Sequence, residues 1–154
     1  MTIKNTIKLK KYSDHIEEWT ANAAIVPGML VEMMSTGKIR KHATKDGHVF
    51  PMFALEDELQ GKGIDDAYAA GAQVQVWIPW RGDKVYALLE DGQVIAKGDF
   101  LVSAGNGHLK KQQGTGASDY NPDMKIVAMS NEAMDAGQSS GGDFPHRRIE
   151  VWIV

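Results

Sequence analysis

A chain of 154 residues, 43% hydrophobic and 24% charged, has the balance of a folded soluble protein and the length of one ordinary domain, or one domain plus an arm. The absence of cysteine excludes disulfides, thiolate zinc sites, Fe–S clusters and cysteine nucleophiles. No apolar run reaches the ~20 residues of a membrane span, and Met1-Thr2-Ile3-Lys4-Asn5 lacks the apolar stretch of a secretory signal, so a soluble intracellular product is expected.

The net charge of −3 is unevenly spread. The first twelve residues hold Lys4, Lys8, Lys10 and Lys11 and no acid, which leaves −7 on the rest of the chain. Ile3, Ile7 and Leu9 interleave with these lysines, a pattern that suits an extended segment adding to another sheet. A basic end on an acidic body points to an acidic contact surface, and a solvated basic tail has the same composition. Four lysines on so acidic a body do not indicate nucleic acid. Ser13 to Ala24 reads as a short helix, capped by Ser13 or Asp14, with Ile16, Trp19 and Ala23 on one face. Residues 1–24 are thus read as an amino-terminal arm and 25–154 as a single β domain. Deleting residues 1–12 is expected to leave that domain folded.

Beyond the arm the dominant period is two. Met29 to Met34, the turn Ser35-Thr36-Gly37-Lys38 and Ile39 to His42 read as a hairpin. His48 to Leu55 follows as a strand that Pro51 confines to an edge or a bulge. Ala72 to Ile78, Lys84 to Leu89, Phe100 to Ser103, Ile126 to Met129 and Arg148 to Val154 complete the set. Asp65 to Ala70 could make a single helical turn, and residues 112–123 and 136–146 have loop composition. The last strand carries apolar residues on both faces, which places it inside a sheet or at an interface. The expected fold is mainly β: a small β-barrel or β-sandwich of short antiparallel strands, an extended N-terminal arm and at most one or two short helices.

Few residues carry a pattern that points to chemistry. His15, His42, His48, His108 and His146 show no metal-ligand spacing, so no metal site and no cofactor are expected. Ser103-Ala104-Gly105 reads as a strand end, because no GxSxG frame surrounds the serine. Glu56-Asp57-Glu58 reads as a solvated loop. Gly61-Lys62-Gly63 and Gly105-Asn106-Gly107 lack the frame of a phosphate cradle. Arg81-Gly82-Asp83 spells an adhesion tripeptide but first of all reads as a turn. Gly92 to Leu101 is similar to half of a biotinyl or lipoyl carrier domain. There the modifiable lysine precedes that stretch, whereas Met124-Lys125-Ile126 follows it here, so prosthetic attachment is rejected.

One pattern runs through the body. It consists of Pro27-Gly28-Met29-Leu30-Val31-Glu32, Pro51 to Asp57, Gly61 to Tyr68 and Arg81 to Ala87. Ile95 to Asp99, Leu101 to Gly107, Ile126 to Ala133, a glycine-rich loop and Arg148 to Val154 follow. Over residues 25–154 this order resembles the head decoration, or cement, proteins of tailed bacteriophages. The resemblance implies a structural, non-enzymatic virion protein, made in the host cytoplasm, that binds the outer capsid surface and cements neighbouring major-capsid subunits. It also implies a homo-oligomer, a trimer before a dimer, with neither nucleic acid nor membrane as direct partner. A virion-displayed module that binds a host receptor or glycan is the alternative. The residues expected to meet the partner are Ile3, Lys4, Ile7, Lys8, Lys10 and Lys11, with Trp77 and Trp80 as anchors.

Overall fold

A computed structural model describes residues 4–12, 14–113, 125–139 and 148–154. Ile3, the Ser13 cap, His146 and most of the two expected loops lie outside the described residues. Eleven short strands are described, and the only described helices are a single 3-10 turn (Glu58–Gln60) and the four residues of α1 (Ala136–Ser139), so the chain is mainly β.

The amino-terminal segment is extended, and it lies on the body of its own chain. Its first strand, β1 (Lys8–Lys10), pairs antiparallel with β7 (Lys84–Leu88). Ile7, just before β1, is 0% exposed and packs in the main core. The carboxylate of Glu56 fixes this entry, accepting the Ile7 N–H at 3.1 Å and the Thr6 hydroxyl at 2.5 Å. Glu56 is therefore a buried clamp, not the solvated loop carboxylate that its polar neighbours predict. The helix expected over 13–24 is replaced by β2 (Ile16–Thr20), which pairs residue for residue with β6 (Gln73–Trp77). Pairing satisfies the edge of β6 and sends Ile16 toward one core and Trp19 toward the other, which outweighs a weak local helix pattern.

The expected hairpin is present as β3 (Val31–Met33) and β4 (Ile39–Lys41), with β5 (Phe53–Ala54) shorter than its apolar run. Near the end come β8 (Phe100–Ser103), β9 (Leu109–Lys111), β10 (Ala128–Ser130) and β11 (Arg148–Ile153). The order β1-β7-β11-β10-β8-β9 makes one six-stranded sheet, and β2-β6-β5 makes a second, smaller one. β11 thus sits inside the sheet, as its two apolar faces predict. The large sheet curls until Leu109 of β9 bridges Leu89 just beyond β7, where the Glu90 N–H reaches the Leu109 carbonyl at 2.8 Å. The layers are sandwich-like.

Two apolar cores result. Val85, Ala87 and Leu89 enter the first, while Leu88 enters the second, so the strand is buried on both sides. That explains its unbroken apolar run where β6 alternates Gln73, Val74, Gln75, Val76. A fully buried arginine joins the pieces. Arg148, the first residue of β11, reaches Asp65 Oδ1 at 2.8 Å, the Pro27 carbonyl at 3.1 Å and the Ile64 carbonyl at 2.5 Å. Gly28 has φ +93°, and a Cβ there would stand 3.1 Å from the Tyr86 carbonyl and 3.2 Å from Arg148 Nε, so this close approach needs glycine.

Candidate functional site

The turn between β6 and β7 is the centre of an apolar band on the protein surface. Three adjoining hollows make it up. The first, of about 640 Å³, is lined by Lys10, Tyr12, Trp80, Arg81, Asp83 and Trp152, among others. A second, of about 350 Å³, shares Trp80 and Arg81 with the first and continues over Pro79, Phe50 and Val154. The third, of about 550 Å³, shares His15, Phe50 and Ile78 with the second and adds Trp19, Met33 and Met52. Nine large hydrophobic side chains are exposed among the described residues, and five of them (Tyr12, Met33, Phe50, Trp80 and Val154) lie along this band. Scattered exposed apolar residues are ordinary on a soluble protein; a contiguous run of them marks an interaction surface.

The corner at Trp80 is held by a buried carboxylate. Asp83 is 3% exposed, and its two oxygens accept the backbone N–H groups of Tyr12 at 2.6 Å and of Trp80 at 2.8 Å. The Tyr12 and Trp80 rings, 86% and 61% exposed, meet edge to face at 6.4 Å. Trp152 lines the same hollow, with its indole N–H on Asn131 Oδ1 at 2.9 Å and the Lys84 ammonium 4.8 Å over its ring. Arg81-Gly82-Asp83 is the expected turn, closed by the Asp83 N–H on the Trp80 carbonyl, with Gly82 at φ +91°. Its aspartate is spent inside the protein and is not displayed for adhesion.

Of the residues expected to meet a partner, the structure gathers Lys10, Lys11 and Trp80 around the first hollow. Lys4 instead pairs with Glu150 at 2.8 Å, and Lys8 with Asp14 at 2.9 Å. Ile7 and Trp77 are corrections. Both are 0% exposed in the main core, because alternation along β1 and β6 turns them inward, and neither is available to a partner. Ile3 lies outside the described residues. Sequence reasoning missed Tyr12, Phe50, Met33 and Val154; the signal for Tyr12 was its place directly after Lys10-Lys11.

Two further polar clusters tie distant segments together. His42 Nε2 donates to the His48 carbonyl at 2.9 Å, and its Nδ1 lies within hydrogen-bonding distance of the Ser103 hydroxyl at 2.7 Å. Both residues are buried, and the pair joins the end of β4 to β8. On β11, burial alone would raise the Glu150 carboxyl, but hydrogen bonds from Lys4 and Lys84 outweigh it and hold the group below the usual carboxylate range. Burial pushes the neighbouring Glu132 above that range, even though its carboxylate accepts the Glu150 N–H at 2.9 Å. No group of three His, Asp or Glu side chains that could hold a metal occurs among the described residues.

The fold and site together define a mainly β, sandwich-like protein with an apolar band around the β6–β7 turn. Compared with known proteins, the sequence matches no family model and no curated relative.

Proposed function

We propose that this chain is a head decoration protein of a tailed phage, docking on the outer capsid surface through the apolar band and cementing neighbouring major-capsid subunits. The observation that carries the reading is the band itself: five exposed large apolar side chains over three adjoining hollows, a surface suited to another protein rather than to solvent. The order of turn and strand motifs over residues 25–154 supports it. The action needs no covalent chemistry. A clamp that binds the assembled shell and not its separated subunits stabilises it by RT ln(1 + [L]/Kd). A homo-oligomer, trimeric before dimeric, adds avidity because each further contact becomes intramolecular.

Replacing Phe50 and Trp80 together by serine removes two exposed rings while leaving both cores intact. Co-sedimentation of this variant with expanded heads should show at least a tenfold loss of affinity, about 1.4 kcal/mol. Unaltered retention would remove the band from the docking face. A displayed module for a host receptor or glycan draws on the same exposed Tyr12 and Trp80 rings; binding to glycans and not to heads would favour it.

A further inference from the structure

The band is polarised in charge. Its third hollow carries Glu17 and Glu32, the latter engaged by Arg40 Nε at 2.9 Å. The first hollow carries Lys10, Lys11 and Arg81. Lys11 is bound to Asp14, but Lys10 and Arg81, both exposed, form no ion pair with any described residue. Among the described residues Asp83 is the one carboxylate lining this hollow, and both its oxygens are occupied by backbone N–H groups. Among the described residues the corner therefore offers two free cations, no free carboxylate and three aromatic side chains, on a chain whose residues after the twelfth carry −7.

We propose that the first hollow receives an acidic, extended segment of the partner protein, its carboxylates on Lys10 and Arg81 and a flanking apolar side chain against Tyr12, Trp80 and Trp152. This rests on the docking reading above and adds the chemistry of the partner. Arginine presents a planar fork that matches a carboxylate, and its stem and the aromatic rings supply the apolar contact. A protein segment fits better than an acidic saccharide, because the hollow runs through Trp80 and Arg81 onto Pro79, Phe50 and Val154. The ring faces of a short saccharide cover one or two such side chains, whereas a protein surface brings apolar groups to all of them.

The test uses the full chain and two soluble peptides, one alternating glutamate with leucine and one alternating glutamine with leucine, followed by tryptophan fluorescence and calorimetry. The acidic peptide should bind, and its glutamine counterpart should bind at least tenfold more weakly. Raising salt from about 50 mM to about 500 mM should erode the difference. The double variant Lys10→Gln, Arg81→Gln, which alters no core residue, should lose the preference for glutamate. Absence of binding, equal affinity for both peptides, or tighter binding of a tetragalacturonate than of the acidic peptide overturns the proposal. Head co-sedimentation separates the two readings. If the double variant binds heads as tightly as the unaltered chain, the acidic-segment proposal fails and docking stands. If the unaltered chain binds the acidic peptide but no heads, docking fails and the acidic site stands.

Discussion

Asp83 accepts the backbone N–H of Tyr12 at 2.6 Å across 71 positions of the chain, and so ties the amino-terminal segment to the turn that presents Trp80. The carboxylate is buried while the two rings it positions are exposed. Removing it should affect both stability and docking. Asp83→Ala leaves two N–H groups without their charged acceptor and should cost about 1.5–3 kcal/mol. For a chain of this size that lowers Tm by roughly 3–12 °C. An unchanged melting curve would mean that the aromatic corner does not depend on this clamp.

Burial separates the two tryptophans that flank Pro79. Trp77→Ala should cost about 3–5 kcal/mol, since a fully buried ring leaves a cavity in the main core. Trp80→Ala should change stability by no more than about 0.5 kcal/mol. Ile7→Ala belongs with Trp77, at about 2–5 kcal/mol. Denaturant titration of the three variants checks the set. It also tests the arm, because deleting residues 1–12 removes Ile7 and β1 and is now expected to destabilise the fold.

Arg148 makes a third site of predicted sensitivity. Arg148→Met should cost about 3–5 kcal/mol, because the Pro27 and Ile64 carbonyls lose a buried charged donor. Asp65→Ala should cost about 1 kcal/mol or less, its side chain being half exposed. Gly28→Ala should cost about 1–3 kcal/mol from its left-handed backbone and the Tyr86 carbonyl. Comparable losses for Arg148→Met and Asp65→Ala would show that the ion pair, and not the carbonyl contacts, dominates.

The two glutamates beside β11 predict opposite pH responses. The raised Glu132 contributes stability that is full below the ordinary glutamate value and is lost as pH rises through its raised folded value. Glu132→Gln keeps an acceptor for the Glu150 N–H, so it should raise Tm near pH 8 and leave it unchanged near pH 4. The lowered Glu150 contributes stability that is present above the ordinary value and is lost as pH falls through its folded value. Glu150→Gln should therefore lower Tm near pH 8 and much less near pH 3. The same sign for both variants near pH 8 would contradict this assignment.

Strand positions were legible where alternation is strong. Gln73–Trp77, Lys84–Leu88 and Phe100–Ser103 fall inside or on the runs read from the sequence. β2 was not legible, because Ile16, Trp19 and Ala23 fit helical spacing and only pairing with β6 decides the matter. β9 was hidden by its lysines; Lys110 is buried against Asp46 at 3.0 Å, a contact between distant segments. At the candidate site, the basic run and Trp80 could be read locally, but Phe50, Met33 and Val154 join them only through the fold. Asp83 was readable as a turn residue and not as a clamp, since Tyr12 is remote in sequence.

The proposed function requires this chain to bind an assembled shell. The proposed docking is tested by titrating the full chain onto expanded heads of a tailed phage, following bound copies by co-sedimentation and the temperature of DNA release. The expected result is saturable binding at a fixed number of copies per head, no binding to separated capsid subunits, and a release temperature that rises with occupancy and plateaus when sites fill. Absence of binding to heads, or stabilisation that persists after the protein is removed, would contradict it.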